Sequence, residues 1–181
     1  NKENLYGGKI WNKKPYSNFY NAPKLKGEHY TSRRRLTEIH AKNKMYSPSP
    51  TFNCVGPGAV GTGSLAGMRA LQLLKKRMNI WPFDSYKMLN KSVCVEIFPT
   101  YYFRLSSVKP EKNVGYTLDN INKSLAFFNS QSLNKNYVIG GPDQDDADAI
   151  ISSAALRYFS LQKDIWDTPS VSMKEGWIFG I

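Results

Sequence analysis

Four carboxylates crowd one short segment of this 181-residue chain, at Asp143, Asp145, Asp146 and Asp148. In a helix, residues three apart lie on nearly the same face, which is the relation between Asp145 and Asp148. Capping and the helix dipole explain one or two acids at a helix start. Four acids repel one another, and a cation or a basic partner relieves that repulsion best. The spacing therefore predicts a metal site at Asp145 and Asp148.

Glu96 is the third candidate carboxylate. It lies near the end of the run Ser92–Pro99, whose mostly apolar residues predict a central strand that ends at Pro99. A glutamate among apolar neighbours needs a partner, because a buried and unpaired carboxylate is destabilising. A salt bridge or a hydrogen bond would satisfy it, and so would a metal ion. We predict that Glu96 joins Asp145 and Asp148 in one catalytic, metal-binding site.

The charge distribution favours a polyanionic partner. Lys and Arg number 25 against 14 Asp and Glu, a net charge of +11. The net charge is +13 through Lys91 and −2 from Ser92 onward. A basic half fits nucleic acid, because its cations replace the counterions condensed on the phosphates. A solubility charge with chance clustering would give the same composition.

Two basic runs are the candidate nucleic-acid contacts. The first follows several tyrosines, so it combines cations that pair with phosphate and rings that stack. The second ends a predicted helix, where positive charge complements the helix dipole. A solvated surface is the alternative for both. The residues are Arg33, Arg34, Arg35, Lys75, Lys76 and Arg77.

A glycine-rich segment leads into that helix. After Gly61, Thr62, Gly63 and Ser64, apolar residues recur three and four apart and predict a helix over about 64–78, with Thr62 or Ser64 as N-cap. Glycines at a helix start can cradle an anion, so these four residues are also candidate nucleic-acid contacts. The segment lacks the lysine of a P-loop and the spacing of a dinucleotide fingerprint. A tight loop needed only for packing is the alternative.

The remaining pattern outlines one domain. Helices are predicted over 32–42, over 118–128 and from the acidic segment to Leu161, and a short strand over 175–181. Residues 1–50 are basic and otherwise mostly irregular. Cys54 and Cys94 are too few for a disulfide framework or a four-cysteine zinc site, and no apolar run is long enough for a membrane span. We therefore expect no membrane association, and the cytoplasm or another reducing compartment.

Seven short motifs follow one another from Arg35 onward. They are Arg35-Leu36-Thr37-Glu38, Ser49-Pro50-Thr51-Phe52, Gly61-Thr62-Gly63-Ser64, Trp81-Pro82-Phe83-Asp84, Val95-Glu96-Ile97-Phe98-Pro99, Asp145 with Asp148-Ala149, and Glu175-Gly176-Trp177-Ile178. In this order they resemble a family of uncharacterised predicted nucleases with an RNase-H-like fold, domain-of-unknown-function family four-two-nine.

The resemblance implies an α/β fold, with a mixed sheet flanked by helices. Residues 51–181 would form the carboxyl-terminal part of the RNase-H-like domain, with residues 1–50 as a basic segment or insertion. The implied activity is hydrolysis of phosphodiester bonds, with Glu96, Asp145 and Asp148 binding Mg²⁺ or Mn²⁺. Two such ions would activate water and stabilise the leaving oxygen.

One departure from the family bears on activity. Its members begin with strands that carry the first aspartate of the site, and no such strand precedes Arg35 here. We expect the chain to be a fragment, to receive those strands from a second chain, or to have lost the catalytic centre. The alternative function is a non-catalytic nucleic-acid-binding or scaffold protein of a ribonucleoprotein. A phosphotransferase of the same broad fold, with the glycine-rich segment binding a nucleotide, is a third hypothesis.

Overall fold

A computed structural model describes residues 34–51, 60–85, 91–140, 144–170 and 172–181. These ranges form six α-helices and one two-stranded parallel sheet. The helices are α1 (Leu36–Lys44), α2 (Gly61–Leu74), α3 (Pro99–Leu105), α4 (Leu118–Phe127), α5 (Asp145–Ser160) and α6 (Ser172–Glu175). The strands are β1 (Asn79–Ile80) and β2 (Val93–Cys94), and a 3₁₀ helix spans Lys163–Trp166. The described residues are therefore mostly helical and α/β only in a minimal sense, without the wider mixed sheet that we predicted.

Helix α5 lies at the centre of the core. It packs against α3, α4 and the 3₁₀ helix. Its buried apolar residues recur at helical spacing and include three alanines, which let the neighbouring helices approach closely. They are Ala147, Ile151, Ala154, Ala155 and Phe159. The predicted helix extended to Leu161, but α5 ends at Ser160 and Leu161 is 77% exposed.

Helix α3 differs from our prediction that the strand simply ends at Pro99. Pro99 stands at the first position of a helix, where its missing N–H removes no intrahelical bond. Tyr101, Tyr102 and Phe103 are all buried, and the Tyr102 hydroxyl donates to the Phe179 carbonyl at 2.8 Å. Burial raises the pKa of Tyr102. Three consecutive buried aromatics show no one-sided period, so the sequence pattern did not reveal this helix.

The parallel sheet is shorter than the predicted strands. Asn79 of β1 lies opposite Val93 of β2, and Ile80 lies opposite Cys94. Beyond β2, Glu96 forms an isolated parallel bridge with Ile178, and the Phe179 amide donates to the Glu96 carbonyl at 2.9 Å. Among the described residues, this bridge is the only extended pairing of the predicted terminal strand, whose first residue, Glu175, belongs to α6. The terminal segment nevertheless lies beside Glu96, as a third extended segment.

The two helices before the sheet also begin elsewhere than predicted. Helix α2 begins at Gly61 and ends at Leu74, with Val60 rather than Thr62 or Ser64 as its N-cap. Helix α1 spans 36–44 instead of 32–42, and buries Thr37, Glu38 and Ala41. Among the described residues, no helix is long and apolar enough to cross a membrane.

Candidate functional site

A two-pronged polar contact between distant parts of the sequence joins Arg35 and Glu96. Arg35 Nη1 donates to Glu96 Oε2 at 2.7 Å, and Nη2 donates to Oε1 at 2.5 Å. Arg35 is only 7% exposed, whereas 39% of the Glu96 side chain is exposed. A two-pronged contact of this kind fixes the orientation of the carboxylate as well as its charge. Glu96 is therefore held in one position, with part of its surface open.

Glu38 completes the inner side of the same contact. It is fully buried, and its Oε1 accepts from Arg35 Nε and from the Thr51 amide, each at 3.0 Å. Its Oε2 accepts from the Arg35 amide at 3.1 Å. A buried carboxylate is stable only with such partners. Arg35 therefore bridges a buried carboxylate, Glu38, and a half-exposed one, Glu96.

The terminal segment covers this ion pair. The Leu36 amide donates to Glu175 Oε2 at 2.8 Å, and the Ile178 amide donates to Thr37 Oγ1 at 3.1 Å. Arg35 Nη1 also donates to the Glu175 carbonyl at 3.3 Å. A carboxylate at the amino end of α1 suits the helix dipole. These contacts tie α1 to a segment 140 residues away in sequence.

Gly176 lies beside the ion pair, and it is buried. Its φ of +77° is one that residues with a side chain rarely adopt. Arg35 Nη1, Phe83 Cζ and Glu96 Oε2 all lie within 4 Å of the point that a Cβ at Gly176 would occupy. Several of the quoted sequence motifs therefore meet at one place. We call this the Arg35 cluster, and it comprises Arg35, Glu38, Phe83, Glu96, Glu175 and Gly176.

The charges of the Arg35 cluster reinforce one another. Burial by itself would lower the pKa of Arg35, but the hydrogen bond and charge of Glu96, followed by those of Glu38, outweigh burial and raise that pKa. This one guanidinium contacts two carboxylates, those of Glu38 and Glu96, and the backbone carbonyl of Glu175. Glu96 is the more open of the two carboxylates bonded to the Arg35 side chain, so we take it as the group available to a ligand.

Asp145 and Asp148 stand on the first turn of α5, as the sequence predicted. Asp145 is exposed and Asp148 is half-buried. Burial, and then the charge of Asp145, raise the pKa of Asp148. Asp146 has a structural contact instead, because its Oδ2 accepts from the Gly140 amide at 3.1 Å and from the Tyr137 hydroxyl at 3.2 Å. In the part of the chain that the structure describes, neither Asp145 nor Asp148 forms a salt bridge.

The three predicted ligands differ in the contacts that they make. Among the described residues, which include Glu96, Asp145 and Asp148, no three acidic, histidine or cysteine side chains are placed to hold a metal ion together. Both oxygens of Glu96 contact Arg35, whereas Asp148 is affected by burial and by the charge of Asp145. The shared metal site stays a prediction, and only the aspartate pair has the chemistry of metal ligands without a basic partner in these contacts.

The basic residues that we predicted to contact phosphate lie in different environments. Arg33 lies outside the described residues, and Arg34 Nη1 donates to the Pro48 carbonyl at 2.6 Å. Arg35 is buried, which differs from our expectation of a basic surface, because two glutamates draw it inward. Lys75, Lys76 and Arg77 are exposed just after α2. They are the described basic run that is open to a polyanion.

The glycine-rich segment also differs from its predicted form. Gly61, Thr62, Gly63 and Ser64 are the first turn of α2 and not a loop before it. The amide and the hydroxyl of Ser64 both donate to the Val60 carbonyl, at 2.9 and 3.0 Å. Ser64 is therefore already bonded within its own helix, and its hydroxyl acts as a local contact in this structure.

Sequence reasoning missed four members of the Arg35 cluster as site residues. Each of the four lies in a motif that we quoted for the resemblance, but no local pattern assigned it a role: Glu38, Phe83, Glu175 and Gly176. The feature of the sequence that could have indicated them is the presence of several polar or aromatic motifs without helical or strand periodicity. Such motifs are typical of segments whose partners are distant in sequence.

No family model, no curated protein and no solved structure matched this chain. The resemblance to the predicted nucleases therefore stays an expectation from the quoted motifs.

Proposed function

We propose that this protein is a divalent-metal-dependent nuclease with an RNase-H-like fold, which binds nucleic acid through its basic surface. The observation that carries the proposal is the pair Asp145 and Asp148 on the first turn of α5. Both lie on one helix face, and the raised pKa of Asp148 reflects burial and the neighbouring negative charge. A divalent cation at this pair would remove that repulsion.

The donor atoms suit the proposed metal. Carboxylate oxygens are the ligands that Mg²⁺ and Mn²⁺ prefer, and Mg²⁺ commonly uses one or two carboxylates together with water and substrate phosphate. Asp145 and Asp148 would hold the ion, which would supply activation of water and charge stabilisation at the phosphate. The remaining ligands would come from water, substrate or further acids.

Glu96 has a separate role in this proposal. Arg35 fixes both carboxylate oxygens, yet each oxygen has a second lone pair, and 39% of the side chain is exposed. An oriented carboxylate can accept a proton from water in a substrate complex. Lys75, Lys76 and Arg77 would hold the phosphate backbone through charge.

The second candidate is a non-catalytic nucleic-acid-binding or scaffold protein, for example in a ribonucleoprotein. It is favoured by the occupation of both Glu96 oxygens by Arg35, which is what a structural ion pair requires. In both candidate functions the same exposed cations would bind nucleic acid. A measurement of cleavage therefore distinguishes the two functions, whereas a measurement of binding does not.

The experiment measures cleavage of labelled single-stranded DNA and RNA by the protein encoded in its full reading frame, with Mg²⁺, with Mn²⁺ and with a chelator. We expect metal-dependent cleavage that Asp148→Asn abolishes. Asp119→Asn is the matched control, because Asp119 is an exposed acid on the first turn of α4. Binding without cleavage would establish the second candidate. Cleavage that survives Asp148→Asn would show that the metal ligands lie elsewhere.

The 181-residue chain by itself is expected to bind Mn²⁺ weakly and to cleave little. Glu96, Asp145 and Asp148 supply only part of the ligand set that two-metal hydrolysis needs. Calorimetric titration with Mn²⁺ and the same cleavage assay test this expectation. Robust Mg²⁺-dependent cleavage by this chain would contradict it.

A further inference from the structure

Phe83 lies at a position where an aromatic ring is open to solvent beside a charged site. It belongs to the turn that follows β1, and the preceding Trp81 is only 4% exposed, with its ring against Phe179 at 5.2 Å between centroids. Asp84 closes the turn, because its Oδ2 accepts from the Ile80 amide at 3.0 Å and its own amide donates to the Ile80 carbonyl at 2.9 Å. Phe83 is 43% exposed on this anchored turn.

The tip of the Phe83 ring lies on the side of the ring near the other residues of the Arg35 cluster. Phe83 Cζ lies 3.6 Å from the point that a Gly176 Cβ would occupy, and Glu96 Oε2 lies 3.9 Å from the same point. Gly176 is buried and has no side chain, so only its backbone lies between the ring tip and the carboxylate on that side. Since the ring tip and the Glu96 carboxylate both lie within 4 Å of this one point, a base stacked on the exposed part of Phe83 would lie near Glu96.

The exposed cations adjoin the same turn through Asp84. Lys75 Nζ is 4.0 Å from Asp84 Oδ1, and 58% of the Lys75 side chain is exposed. Lys76 and Arg77 follow and are also exposed. The turn thus carries a ring next to a carboxylate, and its Asp84 contacts the first of three consecutive cations. That combination matches a chain of alternating phosphates and planar bases.

We propose that Phe83 stacks on a base of single-stranded nucleic acid whose backbone is held by Lys75, Lys76 and Arg77, so that the strand is led toward Glu96. This rests on the proposed nucleic-acid substrate and adds its form and its contact residue. A duplex keeps its bases stacked on each other, whereas an unpaired base offers a free face to an aromatic side chain. Single strands are therefore the preferred substrate.

The test is fluorescence-anisotropy titration of the protein with three labelled probes of equal length: oligothymidylate, oligouridylate and an oligonucleotide of abasic sites. Phe83→Ala should weaken binding of the two base-bearing probes roughly 5- to 150-fold, the range expected when one base is no longer stacked, and leave the abasic probe unchanged. Phe83→Trp should keep the affinity, since it keeps a planar face.

Phe127→Ala is the matched control, because Phe127 on α4 is exposed to a similar extent, 46%. Unchanged thermal unfolding of Phe83→Ala would exclude loss of fold as the cause. If the wild type binds and Phe83→Ala weakens all three probes equally, or none, the stacking inference is overturned while the proposed function stands. If the wild type binds no probe, both this inference and the nucleic-acid part of the proposed function fail.

Discussion

The guanidinium of Arg35 contacts both carboxylate oxygens of Glu96 across 61 positions of sequence. This relationship sets the position of the exposed carboxylate from inside the protein, because Arg35 is itself held by the buried Glu38. The ion pair would stabilise the fold whether the protein is a nuclease or a non-catalytic binding protein. In a nuclease, Glu96 would also accept a proton from water.

Removing Arg35 should strongly destabilise the fold. Arg35→Ala leaves the fully buried Glu38 without its main partner, and breaking a buried ion pair from one side costs about 3–5 kcal/mol of unfolding free energy. Urea unfolding at neutral pH measures it. Glu96→Gln is the comparison and should cost clearly less, because Glu96 is partly solvated. Equal destabilisation of the two variants, or a decrease below about 1 kcal/mol for Arg35→Ala, would contradict the buried network.

Asp148→Asn should stabilise the protein at neutral pH. The pKa of Asp148 is raised by burial and by Asp145, so the folded state binds its proton more tightly than the unfolded state does. Stability therefore falls as pH rises above the ordinary pKa of 3.8, and the deficit remains at neutral pH. The variant lacks this deficit, and its advantage should vanish below that pKa.

Thermal unfolding between about pH 3 and pH 7 follows the effect of Asp148→Asn. Asp119→Asn, at an exposed helix start, should show no comparable gain at neutral pH. A destabilised Asp148→Asn protein would mean that the carboxylate has a favourable partner in solution. A variant that is more stable yet inactive would support a functional reason for keeping the acid.

Three glycine substitutions should change the free energy of unfolding by amounts that differ in sign and size. Gly176→Ala meets ordinary contacts but keeps a φ of +77°, so it should cost roughly 1–3 kcal/mol of unfolding free energy through strain. Gly180→Ala should cost more, because its Cβ would lie 2.7 Å from the Phe159 ring at a φ of +86°. At Gly67, inside α2, an added Cβ would have no described atom outside its own helix backbone within 4 Å, so Gly67→Ala should stabilise by up to about 1 kcal/mol.

Urea unfolding of the three glycine variants gives that order directly. A stabilising Gly176→Ala would show that this position tolerates a side chain and that its φ of +77° does not require glycine. A destabilising Gly67→Ala would show that α2 is covered over that face in solution.

Nucleic-acid binding should depend steeply on salt through the run after α2. Replacing both Lys76 and Arg77 by Ala should reduce the slope of log affinity against log salt by about one unit for each phosphate that the protein no longer neutralises. Filter binding at several salt concentrations measures the slope. Lys109→Ala with Lys112→Ala removes the same charge from another exposed segment and should change it less. Identical slopes in the two double variants would mean that net charge alone sets the binding.

The local pattern of the sequence sufficed for the helices that are regular along one face. It predicted 118–128 for α4, which spans Leu118–Phe127, and it placed the start of α5 at the acidic segment. Amphipathic spacing and a cap such as Thr117, which accepts from the Asn120 amide at 3.3 Å, act between residues close in sequence. Helix α3 was not predicted because its buried aromatic residues are consecutive and show no helical spacing.

The sequence by itself determined three features: the excess of positive charge through Lys91, the acidic start of α5, and the helices α4 and α5. Each of them depends on residues that are neighbours along the chain. Only the tertiary structure decided that Arg35 faces inward to Glu38 and Glu96, and that Phe83 and Gly176 adjoin the same carboxylate. Most of those contacts join residues separated by many tens of positions. Their energies come from desolvation and pairing on folding, which no local spacing encodes.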